Sequence, residues 1–166
     1  QCALLLADPR KAEQLARAVA ARIEVTPDIV VGPAMGAVVW AHEVARALGL
    51  CSYFTERVNE KFALRRGFSL EPGQRVLVVE DVLTTGGSCR EVFEVVRSYG
   101  AIPVGVASIV NRSGVANPFE QDGVPFACLA EVDAQSWMPP ECPLCAAGTH
   151  GPAIKPGSRP GVLKPS

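Results

Sequence analysis

The feature that most constrains this fold is the stretch of residues 75–88, RVLVVEDVLTTGGS. The apolar run at 76–79 predicts a strand buried on both faces, as strands of parallel sheets are. Two acids, Glu80 and Asp81, follow where this strand is expected to end. The threonines, glycines and serine after them predict a turn into a helix, whose amides and hydroxyls can bind an anion. The pattern indicates a sugar-phosphate site, with acids for ribose hydroxyls and donors for the phosphate.

An ordinary strand-to-helix turn is the alternative interpretation of residues 82–88. Short glycine motifs are common in proteins and often have no ligand. In that case the threonines and the serine cap a helix, and the acids are solvated. The two adjacent acids favour the ligand site over this alternative.

Helical and strand patterns alternate along the chain. Apolar residues at helical spacing predict three helices, at residues 9–23, 37–48 and 88–99, with Asp8 as the N-cap of the first. Short apolar runs predict five strands, at residues 28–31, 51–54, 75–80, 103–110 and 126–132. The alternation predicts an α/β fold, a twisted and mostly parallel sheet with helices on both faces.

The domain organisation follows from the same patterns. Residues 1–133 are predicted to form one domain, within which residues 55–73 and 112–124 are expected to be polar loops. Residues 134–166 are predicted to be a tail rich in proline and glycine that contains the motif CPLC.

Composition excludes several function classes. The 16 lysines and arginines are balanced by 17 acids, so no excess of positive charge favours nucleic acid or an anionic membrane. No apolar run approaches the roughly 20 residues that span a bilayer, and the first residues lack the features of a signal peptide. We therefore expect a cytoplasmic protein.

The six cysteines are predicted to be reduced. Cys51, Cys89 and Cys128 lie in apolar segments, where free cysteine behaves as a small hydrophobic residue. Cys142 and Cys145 have the spacing of half a zinc site, and His150 follows. Because zinc requires four ligands and no second pair has suitable spacing, a structural turn is favoured over a metal site or a redox pair.

Four stretches are predicted to meet at the carboxyl edge of the sheet, where ligands bind in such folds. They are residues 32–37, 55–68 and 75–88, together with Asn111 and Arg112. Three of their motifs, GPAMG, EDVLTTGGS and VNRSG, resemble those of type I phosphoribosyltransferases, and of the orotate phosphoribosyltransferases in particular. The resemblance covers about residues 3–132, and the CPLC motif is similar to one subgroup of that family.

The resemblance implies the type I phosphoribosyltransferase fold and a reaction. The family transfers the phosphoribosyl group of phosphoribosyl diphosphate (PRPP) to orotate, giving orotidine 5'-monophosphate and diphosphate in pyrimidine nucleotide biosynthesis. Magnesium is the implied cofactor. The residues that match its PRPP site are Glu80, Asp81, Val82, Leu83, Thr84, Thr85, Gly86, Gly87 and Ser88, and those that match its diphosphate loop are Ala34, Met35 and Gly36.

Further roles also follow from the resemblance. Thr84 and Arg112 match orotate-binding residues, and a guanidinium suits a carboxylate because it can form two parallel hydrogen bonds. For Arg112 the alternative is a solvated loop residue. The implied catalytic residues are the carboxylate of Asp81 and, as the favoured cations of the loop, Lys61 and Arg57.

The family's loop closes over PRPP, often in the neighbouring subunit, so a homodimer is implied. This chain departs from the better-known branch of the family because its loop, ERVNEKFALRRGF, has no histidine, and Arg65 and Arg66 are alternatively a solvated charge pair. Family members also carry an N-terminal segment that forms a hood over orotate, and the sequence is expected to begin after it.

Two other functions remain open at this stage. One is a phosphoribosyltransferase for another base, because the PRPP motif is shared. The other is a PRPP-sensing regulatory protein that binds nucleic acid, which the balanced charge disfavours.

Overall fold

The structure, a computed structural model, describes residues 2–134, 137 and 141–148. The helices are α1 (Cys2–Leu6), α2 (Pro9–Ala20), α3 (Gly36–Leu48), α4 (Gly87–Ser98) and α5 (Pro143–Ala147), with a 3-10 turn at Glu120–Asp122. The strands are β1 (Ile29–Pro33), β2 (Cys51–Val58), β3 (Lys61–Leu64), β4 (Arg75–Leu83), β5 (Ile102–Asn111) and β6 (Phe126–Glu131).

The strands form one six-stranded sheet in the order β3-β2-β1-β4-β5-β6. All neighbouring strands are parallel except β3, which is antiparallel to β2. The central strands β1 and β4 pair with Val31 opposite Val78. The predicted fold class, a twisted and mostly parallel α/β sheet, is confirmed.

Side chains alternate along each buried strand, so the apolar runs place apolar residues on both faces of the sheet. Helices cover both of these faces. Val31 and Val78 belong to the core beneath α4. Val30 and Leu77, one residue earlier on each strand, belong to the core beneath α2 and α3, where Trp40 is fully buried. Each face therefore needs its own apolar helix, and the unbroken apolar run of β4 serves both.

The prediction of a polar loop over residues 55–73 is wrong in its first half. β2 continues to Val58, and β3 returns beside it as a hairpin. The turn residues Asn59 and Glu60 have φ angles of 48° and 67°, as two-residue hairpin turns require. Phe62 and Leu64 are buried, so the hairpin is held by the core and not by turn chemistry visible in the sequence.

Smaller differences concern the ends of elements. β4 extends beyond residue 80 to Leu83, so Glu80 and Asp81 lie within the strand and not after it. The predicted loop at 112–124 contains the 3-10 turn and the fully buried Phe119. The first predicted helix ends at Ala20, although its N-cap is as expected, since the Asp8 carboxylate accepts a hydrogen bond from the Arg10 amide over 3.1 Å.

Cys2–Asp133 form one compact unit, and the described residues from Ala134 onward lie outside that unit. The domain assignment of 1–133 and 134–166 stays a prediction, because much of the tail, including His150, lies outside the described residues. Within the described ranges, no helix has both the length and the apolar character needed to cross a membrane.

Candidate functional site

The carboxyl ends of β1, β4 and β5 bring three of the predicted stretches to one edge of the sheet. Ala34, just after β1, donates its amide to the Thr55 carbonyl over 2.8 Å. Arg112, just after β5, donates its amide to the Leu83 carbonyl at the end of β4 over 2.7 Å. The turn after β4 therefore lies between the loops that follow its two neighbours.

Asp81 lies against the predicted diphosphate loop. A Cβ atom added at Gly36 would lie 3.2 Å from Asp81 Oδ1, so a side chain at the start of α3 would have to displace the carboxylate by a few tenths of an ångström. The Val82 amide donates to the same Oδ1 over 2.9 Å and fixes the carboxylate. The Ala34–Met35 peptide bond beside it is cis, and the Met35 side chain is exposed.

Glu80 is largely buried next to Asp81. Burial and, to a smaller extent, the nearby Asp81 carboxylate together raise the pKa of Glu80 to about 8. At neutral pH Glu80 therefore retains its proton for most of the time. A divalent cation or a ligand hydroxyl near this pair would relieve the repulsion between the acids.

The pH dependence of stability provides a test of this environment. The unfolded pKa of Glu80 is near 4.5 and the folded value is about 8, so the folded chain retains a proton that the unfolded chain loses between these pH values. Its contribution to stability therefore falls as pH rises through this window. Glu80→Gln is expected to raise the free energy of unfolding by about 1–2 kcal/mol at pH 8, and by little near pH 4.5.

Urea unfolding at both pH values measures this difference. Glu94→Gln is the control, because Glu94 is an exposed acid on α4 that pairs with Arg97. The control is expected to change stability by less than about 0.5 kcal/mol at either pH. An equal effect of Glu80→Gln at pH 4.5 and pH 8 would contradict the assignment.

The turn between β4 and α4 encloses a small cavity of about 50 Å³. The residues that line it are Glu80, Val82, Leu83, Thr84, Thr85, Gly86, Gly87, Ser88 and Cys89. Thr84 and Thr85 are exposed, and α4 begins at Gly87, so its free amides point toward this turn. The predicted phosphate-binding residues are thus contiguous in sequence and also share one cavity.

Gly86 is required at this turn for two reasons. Its φ angle is 78°, and an added Cβ would lie 2.9 Å from Cε1 of the buried Phe119. Gly114 has the same φ angle of 78°, with nothing within 4 Å of an added Cβ. The two glycines therefore differ mainly in the space around them.

Gly86→Ala is expected to lower the free energy of unfolding by about 3 kcal/mol, because backbone strain is added to a clash with the fully buried Phe119 ring. Gly114→Ala should cost only the strain, about 1 kcal/mol. Chemical denaturation of both variants measures the difference. Equal losses would show that the Phe119 contact does not constrain the turn.

Arg90 also supports this turn, although no sequence pattern indicates that role. Its guanidinium donates to the Thr85 carbonyl over 3.0 Å, to the Pro118 carbonyl over 2.6 Å and to the Asp122 carboxylate over 2.9 Å. These bonds tie the turn to the segment after β5. A polar residue in the first turn of a helix carries no sequence signal for such distant partners.

The segment after β5 is fixed by Asn111, which is nearly fully buried. Its side-chain amide donates to the Val115 carbonyl over 2.8 Å, and its oxygen accepts from the Ser113 hydroxyl over 2.7 Å. Arg112 is exposed beside this tight loop, and within the described residues no acceptor binds its guanidinium. A cavity of about 430 Å³ adjoins the loop, lined by Asn111, Gly114, Val115, Ala116, Glu131, Val132 and Asp133.

The two predicted loop cations lie on the β2–β3 hairpin. Arg57 donates to Glu91 of α4 over 3.0 and 3.1 Å, and its guanidinium stacks 4.1 Å from the centre of the Phe62 ring. It also donates to the Glu60 carbonyl. Lys61 is exposed next to the turn of the hairpin. Arg57 therefore forms an ion pair with Glu91 in this structure. The catalytic roles of Arg57 and Lys61 stay predictions.

The neighbouring arginines are arranged differently from each other. Both are exposed, and Arg66 forms a two-point ion pair with Glu56, with both distances 2.8 Å. Both arginines are thus in contact with solvent, and whether either has a role in the site stays a prediction.

Another cavity, of about 280 Å³, lies at the opposite edge of the sheet, near the amino ends of β5 and β6. It is lined mainly by apolar residues and backbone, with Arg22 and Glu24 among its few charged side chains. We assign the candidate site to the carboxyl edge because the acids, the donor-rich turn and the glycine at the start of α3 converge there.

Comparison with known proteins agrees with this geometry. The model of the phosphoribosyl transferase domain matches residues 5–138. Orotate phosphoribosyltransferase of Carboxydothermus hydrogenoformans is 47% identical over 162 residues, which cover 96% of this chain and 82% of the relative. The corresponding protein of Desulforamulus reducens is 50% identical over 161 residues, covering 96% and 81%. The chain belongs to the orotate phosphoribosyltransferase family.

Solved structures agree with this family fold. Orotate phosphoribosyltransferase of Aeropyrum pernix superposes with a TM-score of 0.60 at 27% identity, covering 77% of this chain and 75% of that one. Adenine phosphoribosyltransferase of Thermoanaerobacter pseudethanolicus gives 0.65 at 19% identity, covering 77% and 84%, and so shares the fold. The predicted membership of the orotate phosphoribosyltransferase family is confirmed.

Proposed function

We propose that this chain transfers the phosphoribosyl group of PRPP to orotate, giving orotidine 5'-monophosphate and diphosphate. The observation that carries the proposal is its identity of 47–50% with orotate phosphoribosyltransferases over 96% of its length. The acids and donor-rich turn at the carboxyl edge support it, because they suit a ribose bearing phosphate groups.

Each part of this edge has a proposed role. The turn of residues 82–88 binds the 5-phosphate through the amides at the start of α4 and the hydroxyls beside them. Glu80 and Asp81 bind the ribose hydroxyls, and Ala34, Met35 and Gly36 lie along the diphosphate. As the bond to diphosphate breaks, positive charge develops on the ribose ring, and the Asp81 carboxylate stabilises it. The contact between Gly36 and Asp81 supports this arrangement, because it joins the two subsites.

The acid pair also fits the magnesium ion that the family implies. Magnesium prefers oxygen ligands and is commonly held by one or two carboxylates together with substrate phosphates. Glu80 and Asp81 offer such oxygens, and a cation beside them would favour the ionised form of Glu80, whose pKa is raised by burial and by the Asp81 carboxylate. When bound with PRPP, magnesium would neutralise charge on the departing diphosphate. The role of this chain is to place the two carboxylates and to exclude water around them.

Arg112 and Thr84 are proposed to select orotate. Arg112 is exposed beside the site and free to form two hydrogen bonds with the orotate carboxylate. An adenine ring has no carboxylate, so this residue distinguishes the proposed substrate from that of a purine phosphoribosyltransferase. Changing Arg112 should therefore separate the two possibilities.

We also propose a homodimer in which the β2–β3 hairpin contributes Lys61 or Arg57 to a site, directly or across the subunit interface. The exposed position of Lys61 supports it as the cation that reaches the diphosphate. Arg57 can do so only if it leaves Glu91. A cytoplasmic location is proposed as well, and reduced cysteines are expected in such a compartment.

Paired variants test the role of Arg57. If Arg57 acts on the diphosphate, Arg57→Ala should lower kcat by about 100-fold, whereas Glu91→Gln, which releases Arg57, should preserve kcat within about threefold. If Arg57 only fastens the hairpin to α4, both variants should lose activity to a similar extent. Steady-state kinetics with PRPP and orotate distinguish these outcomes, and Lys61→Ala measured in parallel assigns the other cation.

The proposed reaction is tested by direct assay. The full chain is incubated with orotate, PRPP and magnesium, and the formation of orotidine 5'-monophosphate is measured. Adenine, hypoxanthine and uracil in place of orotate serve as controls for another base. Turnover with orotate and with none of the other bases supports the proposal, whereas turnover with another base and none with orotate would overturn it. Salt-sensitive binding of nucleic acid without turnover would favour the regulatory alternative.

A further inference from the structure

The CPLC motif has no part in the proposed reaction. Cys142 is the N-cap residue of α5, and Cys145 lies in the first turn of that helix. The Ala146 amide donates to the Cys142 carbonyl over 3.0 Å and closes the turn that carries both cysteines. Residues three apart on a helical turn have Cα atoms about 5 Å apart. This separation lies within the range that a disulfide bridges, so the two sulfurs can be joined with little movement of the backbone.

The two thiols differ in acidity and are both open to solution. Hydrogen bonds from the Cys145 amide and the Cys145 thiol, and from the Leu144 amide, lower the pKa of Cys142. The pKa of Cys145 is raised because its thiol donates to Cys142. Cys145 is exposed and Cys142 is partly exposed, whereas Cys2 and Cys89 are buried. The arrangement provides one thiolate that can attack and a second thiol that can resolve the product.

We propose that Cys142 and Cys145 form a reversible redox pair that exchanges with small-molecule disulfides. The Cys142 thiolate attacks one sulfur of the disulfide, forming a mixed disulfide and releasing one thiolate. The Cys145 sulfur, after losing its proton to solvent, then attacks Cys142 Sγ and releases the second thiolate. The protein loses two electrons and two protons, and the small disulfide becomes two thiols. Excess small-molecule thiol reverses both steps.

A metal site is the main alternative use of the pair. Two cysteines supply half of the four ligands that a structural zinc ion takes. Across residues 2–134, 137 and 141–148, no group of three or more histidine, cysteine or acidic residues lies together. Exchange chemistry needs only the two thiols that this turn brings together, so it is the better supported use.

Exchange with oxidised glutathione tests the proposal on the full chain. We expect the natural sequence to lose two free thiols and about 2 Da, with Cys142 linked to Cys145 in the peptide map, and excess reduced glutathione to reverse the change. Cys145→Ser should stop at the mixed disulfide, a gain of about 305 Da located at Cys142. Cys142→Ser should react at least about tenfold more slowly at Cys145.

The exposed Cys51 supplies the matched control, because it is a single thiol on β2 with no cysteine beside it in sequence. Cys51→Ser should form the 142–145 disulfide as the natural sequence does. The proposal is overturned if no such link forms, or if Cys142 and Cys51 collect glutathione at equal rates. It is also overturned if the purified chain contains stoichiometric zinc whose removal is needed before either thiol reacts.

Discussion

Asp81→Asn is expected to lower kcat for orotidine 5'-monophosphate formation by about 1,000-fold. Asp81 contacts the turn at Gly36 and lies at the centre of the carboxyl edge, so its charge is held where the ribose develops positive charge. Asparagine keeps the shape and removes the charge. Because Asp81 also repels Glu80, the same change should lower the pKa of Glu80 toward its ordinary value.

The control for this variant is Asp28→Asn, at the start of β1. The Asp28 carboxylate accepts from the Arg75 amide over 2.7 Å at the opposite edge of the sheet, a bond that an asparagine oxygen can also form. Its kcat should remain within about twofold of the natural value. The role proposed for Asp81 is refuted if Asp81→Asn lowers kcat by less than about tenfold while it unfolds at the same urea concentration as the natural sequence.

Arg112→Ala is expected to lower kcat/KM for orotate by about 100- to 1,000-fold, with PRPP binding changed by less than about threefold. The reason is that a two-point ion pair with the orotate carboxylate is lost, while the phosphate turn is untouched. The buried Asn111 fixes the backbone on one side of Arg112, so the loop should retain its shape. Arg112→Lys should recover only part of the loss, because an ammonium cannot form the planar pair.

Arg97→Ala is the matched control, since Arg97 lies in the last turn of α4 and pairs with Glu94 at a distance of 2.8 Å. Kinetics with orotate and equilibrium binding of PRPP are measured for each variant. If PRPP affinity falls as much as orotate use, then Arg112 supports the whole site and does not select the base. In that case the choice of orotate must rest on other residues.

The motif at residues 75–88 could be predicted in detail because its parts are consecutive. A buried strand, two acids and a glycine turn carry local signals. The structure differs only in that the strand continues to Leu83. The family membership followed from the same motif and two shorter ones. The roles assigned to individual residues still depend on the experiments above.

The hairpin shows where sequence patterns failed. Residues 51–58 and 61–64 form paired strands although the turn Asn59–Glu60 lacks the glycine typical of such turns. Phe62 and Leu64 pack into the core beneath α4, and Arg57 binds Glu91, 34 residues away. No local pattern encodes contacts over such a separation, so the segment had the appearance of a polar loop.

The sequence by itself determined the α/β class, the central strand and the acids and turn that follow it, because these depend on local periodicity and on adjacent residues. The tertiary structure alone decided that Gly36 contacts Asp81, that Arg90 ties the turn to the segment around Phe119, and that Glu80 is buried enough to hold a proton near neutral pH. These properties arise from packing between strands distant in the chain. Packing sets both the contacts and the dielectric environment, which a linear pattern does not contain.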